Sequence, residues 1–128
     1  MNNILNETDN YTALYLGASE WGRPLISKNY YHPTFRTTGL FGVILDKQLF
    51  EKVLELMKFY YLPADVCVSV IINSYYLNSS YVLYPNLIIA DTTKSRNTID
   101  RPLKEHSKKM SWDLVNYDMS EMYYDNSF

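Results

Sequence analysis

A β-branched apolar run leads directly into a helical pattern near the middle of the chain. The run GLFGVIL occupies residues 39–45, and Asp46 follows it as a candidate helix cap. Apolar residues then recur at helical spacing, at Leu49, Val53, Leu56, Met57 and Tyr60. The charged residues between them, at 47, 51, 52, 55 and 58, are expected to face solvent. A strand followed at once by an amphipathic helix is typical of α/β proteins.

The part of the chain before this run predicts one strand and one long loop. The segment YTALYLG at 11–17 is a short apolar run that ends in glycine, which is typical of a buried strand. Residues 18–38 are rich in Gly, Pro and Ser, and a loop of this length often carries function. Gly42, inside the predicted second strand, indicates a close approach to the backbone.

The part after the first helix predicts a second helix and further strand. Pro63 can begin a helix because its missing N–H would be unpaired at that position, and the pattern continues to about Leu77. The segments YVLY at 81–84 and NLIIAD at 86–91 predict two short strands, or one strand bent at Pro85. From Pro102 onward the chain is charged and has few apolar residues, and one short helix is predicted there, around SWDLVNYDM.

Composition restricts the classes of function. The 128 residues are 47% hydrophobic and 20% charged, with a net charge of −2, which suits a soluble domain and does not support a nucleic-acid or anionic-membrane surface. One cysteine and two histidines do not support a disulfide framework or a zinc site, and no metal site is predicted. No nucleotide, hydrolase or metalloprotease motif is present. With no signal peptide or membrane span in the sequence, we expect a cytoplasmic protein.

Asp65 has two interpretations that differ in chemistry. It lies in the first turn of the second predicted helix, where the helix dipole favours a negative charge and no reaction is required. It also lies near the long loop, where a carboxylate can take the proton of a substrate hydroxyl. Its spacing alone favours the first interpretation. Cys67, two residues on in an apolar run, is interpreted as a buried small hydrophobic residue.

Other candidate binding residues lie in the two polar loops. His32 and Tyr31 are candidates for lining an acceptor pocket, although loop aromatics more often pack onto their own domain. Trp21 is predicted at the surface because a large aromatic between a strand end and a loop has few routes to full burial. Phosphate contacts are possible at a small polar and basic cluster, formed by Lys94, Ser95 and Arg96.

Four segments, taken in order, resemble the carboxy-terminal, acceptor-side half of a GT-A fold glycosyltransferase. They are ALYLGASEW, TTGLFGVILDKQLFEKVLELM, YLPADVCVSVIIN and YVLYPNLIIADTTKSR. The similarity is to glycosyltransferase family 25, the lipopolysaccharide and procollagen sugar transferases, including relatives from large DNA viruses. It covers about residues 11–100 and depends on the order and spacing of the segments. The resemblance implies an α/β fold, a partial GT-A-like mixed sheet with two or three packed helices.

The resemblance also assigns roles to particular positions. The family's P-x-D, which opens a helix, corresponds to Pro63–Asp65, and this raises the general-base interpretation of Asp65 to equal weight. The family's serine-containing loop corresponds to Ser95, but Arg96 replaces the usual aspartate. The donor half, which ends in a metal-binding D-x-D pair, would precede residue 11. No cofactor is therefore expected in this chain, and a divalent metal such as Mn²⁺ is expected only if a donor half is supplied elsewhere.

The expected organisation is a flexible stretch at 1–10, a glycosyltransferase-like domain at 11–100 and a polar extension at 101–128. Two functions remain open. The first is hexose transfer from a nucleotide sugar to a glycan or protein hydroxyl. The alternative is a non-catalytic module of the same fold that binds carbohydrate or protein through Trp21 and the loop tyrosines. Half a sheet exposes an edge and an apolar face, so either function is compatible with a homo-oligomer or a partner chain.

Overall fold

The computed structural model describes residues 11–27, 29–59, 61–90 and 102–117. The chain forms two compact units, Met1–Ala90 and Asp91–Phe128. The described residues of the first unit form a four-stranded sheet and two α-helices, and those of the second unit contain one α-helix. No helix in these ranges is both long and apolar enough to cross a membrane.

The strands form one mixed sheet. Their bounds are β1 Ala13–Glu20, β2 Tyr30–Tyr31, β3 Thr37–Leu45 and β4 Ser80–Leu83. The order across the sheet is β2-β4-β1-β3, and β1 is antiparallel to β3 but parallel to β4. The short strand β2 pairs antiparallel with β4. The predicted α/β class, with a mixed sheet, is confirmed.

The first helix, α1, spans Lys47–Phe59 and begins where the sequence predicts. The Asp46 side chain caps it, since its Oδ1 accepts a hydrogen bond of 2.9 Å from the Gln48 N–H. Leu49 and Val53 are buried, and the five charged positions are exposed, as predicted. Met57 differs from the prediction because it is 41% exposed rather than packed in the core.

The second helix, α2, spans Ala64–Ile71 and begins directly after Pro63. Its path continues through a π-helical turn, Ile72–Tyr76, and a short 3-10 turn, Leu77–Ser79. The buried side chains of α1 and α2 share one core with those of β1 and β4. The helices therefore cover one face of the sheet, and α2 brings its first turn towards β3.

The predicted strand at 86–91 is wrong over its described residues. Residues 86–90 have no strand structure and instead lie beside β1, where the N–H groups of Leu87 and Ile88 both donate to the Leu16 carbonyl. Pro85 has no N–H for a ladder, and the Asn86 side chain, rather than its backbone, bonds to the Ala18 N–H at 3.5 Å.

Two glycines allow the segment at 86–90 to approach the sheet. A Cβ on Gly17 would lie 1.8 Å from the Ile88 carbonyl oxygen, so no other residue fits there without a backbone shift. A Cβ on Gly42 would lie 2.7 Å from the Ile88 Cδ1 atom. The close approach predicted at Gly42 is confirmed, and the approaching group is a side chain.

The predicted loop at 18–38 contains more structure than expected. The strand β1 continues to Glu20 and β3 begins at Thr37, and these two residues are partners in the antiparallel ladder. The strand β2 also lies within this stretch. The sequence did not predict this pairing because the residues at both strand ends are polar. Strands pair through backbone hydrogen bonds, and side-chain polarity gives no signal for these.

In the second unit, the helix α3 spans Leu103–Met110 and precedes the position where a helix was predicted. The predicted helix around 111–119 is reduced in its described part to a 3-10 turn, Leu114–Asn116. Ser111 ends α3 in the left-handed conformation, with φ 58°. The helix was missed because its charged residues outnumber its apolar ones, although the buried positions Leu103, His106 and Met110 keep helical spacing.

Candidate functional site

Trp21 lies directly beyond the carboxyl end of β1. Its indole Nε1 donates to the Thr38 Oγ1 at 3.2 Å, and its backbone N–H donates to the Arg36 carbonyl at 3.1 Å. The side chain is partly buried, so part of the residue remains accessible. Trp21 is therefore not fully buried, as predicted, and its indole is held against the first residues of β3.

Asp65 reaches the same end of the sheet from the first turn of α2. Its Oδ2 accepts a hydrogen bond of 3.0 Å from the Gly39 N–H, and its Oδ1 accepts one of 2.9 Å from the Val66 N–H. Gly39 has a φ of 81°, which side chains rarely tolerate. Each carboxylate oxygen has two lone-pair sites, so Asp65 can still accept a hydrogen bond from a further hydroxyl.

Trp21 and Asp65 bond to consecutive residues at the start of β3. Trp21 bonds to Thr38, and Asp65 bonds to the next residue, Gly39. Asp65 itself is partly buried. The structure thus brings an indole and a carboxylate to one end of the sheet, although Trp21 and Asp65 are far apart along the chain.

Glu20 connects the loop that carries Trp21 to the start of β3. Its Oε1 accepts hydrogen bonds of 2.8 Å from both the Gly22 N–H and the Thr34 hydroxyl, and its Oε2 accepts one from the Thr37 hydroxyl. The Thr37 Oγ1 in turn accepts a bond of 2.8 Å from the Thr34 N–H. Sequence reasoning missed Glu20, and the available signal was a carboxylate that ends an apolar strand ahead of a threonine-rich stretch.

Two buried tyrosines lie within electrostatic range of these carboxylates. Burial raises the pKa of Tyr15 well above its usual value, and the charges of Asp65 and then Glu20 raise it further. Burial also raises the pKa of Tyr31, with Glu20 the next cause. Both phenols therefore stay protonated at neutral pH and cannot act as bases. The Tyr15 hydroxyl is buried and has no hydrogen-bond partner within the described residues.

His32 lies in a different part of the fold. Its Nδ1 is 2.9 Å from the Ser80 carbonyl oxygen and 3.0 Å from that of Leu77. Since carbonyl oxygens only accept hydrogen bonds, Nδ1 carries a proton that both share. The exposed His32 ring lies 5.1 Å from the Tyr81 ring, and Tyr30 stacks edge-on against Tyr81 at 5.2 Å. These three rings, Tyr30, His32 and Tyr81, form what we call the edge aromatic cluster.

The strand register places His32 and Trp21 at opposite ends of the sheet. Ser80, whose carbonyl accepts from His32, pairs with Ala13 at the start of β1, while Glu20 ends the same strand. At about 3.3 Å per residue, these ends are roughly 20 Å apart. A surface depression of about 350 Å³ is lined by residues 73–79, which include the second carbonyl partner of His32.

The remaining candidates are placed as follows. Tyr31 is 4% exposed and its ring belongs to the core, on the opposite side of β2 from His32. Cys67 is buried within α2, which confirms its interpretation as a small hydrophobic residue. The cluster of Lys94, Ser95 and Arg96 lies outside the described residues, as does the stretch 1–10.

The described residues bring no three His, Cys, Asp or Glu side chains together in a way that could hold a metal ion. The carboxylates of Glu20 and Asp65 instead accept hydrogen bonds from backbone N–H groups and, for Glu20, from hydroxyls.

No protein-family model, no curated protein and no solved structure matches this chain.

Proposed function

We propose that the carboxyl end of β1 is the acceptor side of a glycosyltransferase site. The observation that carries the proposal is that Trp21 and Asp65 bond to the neighbouring residues Thr38 and Gly39, at the same end of the sheet. β1 and β4 are parallel, and ligands of open α/β sheets bind outside the carboxyl ends of the parallel strands. An aromatic face for a sugar ring and a carboxylate for its hydroxyl are the groups that an acceptor site requires.

In this proposal Asp65 is the general base. Its carboxylate takes the proton of the acceptor hydroxyl while that oxygen bonds to the anomeric carbon of a nucleotide sugar. The bond from that carbon to the nucleotide diphosphate breaks, and the diphosphate leaves with the electron pair. The hydrogen bonds from Gly39 and Val66 hold the carboxylate in one orientation, which favours a productive geometry. Trp21 orients the acceptor ring, and the donor half contributes the binding of the nucleotide.

The test compares two aspartates at helix starts. The purified chain, alone and with the product of an adjacent reading frame, is given a UDP-hexose, Mn²⁺ and a hydroxyl acceptor, and UDP release is measured. Asp65→Asn should lower the rate by about 100-fold or more, as expected for loss of a general base. The control is Asp46→Ala, which removes the cap of α1 at a cost of about 1 kcal/mol and should leave the rate unchanged.

Two results would contradict the catalytic proposal. One is the absence of UDP-hexose binding by calorimetry, in the presence of Mn²⁺, when the chain is combined with the product of the adjacent reading frame. The other is an Asp65→Asn variant whose melting temperature falls while its rate of UDP release matches that of the control.

A binding module without catalysis is the second candidate, and two observations favour it. Both Asp65 oxygens already accept backbone hydrogen bonds, which is sufficient to explain a carboxylate at a helix start. The edge aromatic cluster, in which His32 is exposed and Tyr30 and Tyr81 are partly exposed, lies at the other end of β1, and aromatic rings suit a sugar ring. Titration with oligosaccharides, followed by NMR, locates the binding: Trp21→Ala should abolish binding at the carboxyl end of β1, and His32→Ala should abolish binding at the edge aromatic cluster. Oligosaccharide binding without UDP release in the transfer assay would favour this second candidate.

A further inference from the structure

The helix α1 has an exposed apolar stripe next to its buried side. Leu49 and Val53 are buried, whereas Phe50, Leu54 and Met57 are 51%, 58% and 41% exposed. Spacings of four and three residues place the last three on one side of the helix, about a quarter turn from the buried side. Neighbouring apolar side chains that are about half exposed on one side of a helix are typical of a protein contact.

Three exposed charges lie along this stripe on the side away from the core: Lys47, Glu51 and Lys58. Glu51 and Lys58 are near its centre, whereas Lys47 is farther out, seven residues before Leu54. Glu51 lies three residues before Leu54, and Lys58 lies four residues after it. At a rise of about 1.5 Å per residue, the two charges are roughly 4.5 Å and 6 Å from the level of Leu54 along the helix axis. They also point in nearly the same direction, since seven residues make about two turns. The stripe therefore has opposite charges at similar distances from its centre.

This arrangement is complementary to itself when two copies of α1 lie antiparallel. With a two-fold axis at Leu54, Glu51 of each copy lies at the level of Lys58 of the other, and both pairs attract. Lys47 lies about 4.5 Å along the axis from Lys58 of the other copy, so its repulsion is weaker than the attraction of the closer Glu51. A parallel two-fold arrangement would instead place Glu51 at the level of Glu51 and Lys58 at the level of Lys58, so no attracting pair would form. Charge complementarity thus favours a second copy of this chain in the antiparallel orientation.

We propose that the protein self-associates as a weak dimer, through an antiparallel two-fold contact of α1 centred on Leu54 and formed by Phe50, Leu54 and Met57. Three half-exposed side chains per copy bury less than the roughly 1,200 Å² of a stable specific interface. The dimer is therefore transient and forms at high protein concentration. The proposal uses none of the residues that would contact a sugar, so it stands or fails independently of the proposed function.

The first experiment changes the centre of the contact. Sedimentation velocity of the full chain, from about 10 µM to about 1 mM, should show a concentration-dependent shift from monomer to dimer. Leu54→Asp places two like charges against each other at the two-fold axis and should leave only monomer. The matched control is Phe59→Asp, because Phe59 is 75% exposed and lies about 200° around α1 from Met57. This control should dimerise like the unchanged protein.

The second experiment tests the orientation. Glu51→Lys and Lys58→Glu should each raise the dissociation constant about tenfold, because two attracting pairs become two repelling pairs. The double variant Glu51→Lys/Lys58→Glu should return to within about threefold of the unchanged protein. Mixing the two single variants should give a heterodimer tighter than either homodimer. A chain that stays monomeric at about 1 mM, or a double variant as weak as the single ones, would overturn the proposal.

Discussion

The two ends of β1 use opposite hydrogen-bond chemistry. At the carboxyl end, Glu20 and Asp65 accept bonds from backbone N–H groups and threonine hydroxyls. At the amino end, the His32 ring donates its Nδ1 proton to two carbonyl groups. The first end is partly buried, while His32 is exposed. One end thus presents hydrogen-bond acceptors with their positions fixed, and the other presents aromatic ring faces.

The difference shows how one sheet can offer two unlike surfaces for a polar ligand. Carboxylates with spare lone pairs bind groups that donate, such as sugar hydroxyls, and Asp65 has such capacity. The edge aromatic cluster instead binds by contact with ring faces, and it has no carboxylate among its three members. A reaction that moves a proton therefore belongs to the carboxyl end, whereas binding alone is compatible with either.

Loss of the Glu20 charge should have the largest effect on this contrast. Glu20→Gln removes the charge and replaces one acceptor oxygen by an amide, so the three groups bonded to Glu20 lose their charge-assisted hydrogen bonds. We expect the free energy of unfolding to fall by about 2 kcal/mol, as for hydrogen bonds to charged groups. Hydrogen exchange should also speed up at the backbone amides of Trp21 and Gly22.

Glu55→Gln is the matched control, since Glu55 is exposed on α1 and should show no measurable change. If Glu20→Gln costs no more than this control in urea unfolding, Glu20 does not fasten the loop. The carboxyl end would then be no more rigid than the amino end, and the contrast between them would fail.

The next prediction concerns the coupling of the carboxyl end to the core through Tyr15. Burial and the nearby carboxylates raise its folded-state pKa above the unfolded value of about 10. Below about pH 10 both states keep the proton, and above it the unfolded state loses the proton first, so stability falls as pH rises. The Tyr15→Phe variant should lose less stability than the unchanged protein between about pH 9 and pH 11.

At neutral pH the same variant should be more stable by about 1 kcal/mol, because the buried Tyr15 hydroxyl has no partner within the described residues. Tyr75→Phe is the control, since Tyr75 is 65% exposed. Urea unfolding at several pH values measures both effects. An unchanged pH dependence in Tyr15→Phe would show that the carboxyl end is not coupled to the core through this phenol.

Sequence reasoning succeeded where a signal was local. Asp46 and the apolar spacing after it predicted α1, and Pro63 predicted the start of α2. It failed where side chains replace backbone groups, as Asn86 does beside β1. A segment with a proline and a hydrogen-bonding side chain can lie where a strand would lie. Its apolar pattern in the sequence is then the same as that of a strand.

The site shows the same limit. Trp21 and Asp65 were individually candidates, but their placement at the same end of the sheet depends on the register between β1 and β3, which no local pattern specifies. Glu20 was missed because its hydroxyl partners are 14 and 17 positions away in the chain. Tyr31 and His32 are neighbours in sequence, yet alternation along a strand sends their side chains to opposite sides.

The smallest expected effect is at the amino end. His32→Phe keeps a ring beside Tyr81 but removes the proton shared by the Ser80 and Leu77 carbonyls. Because His32 is exposed, water can replace the lost donor, and the free energy of unfolding should fall by less than about 1 kcal/mol. Hydrogen exchange at Trp21 should be unchanged, since roughly 20 Å of strand separates the two ends. An increase there as large as that caused by Glu20→Gln would mean that the two ends act as one site.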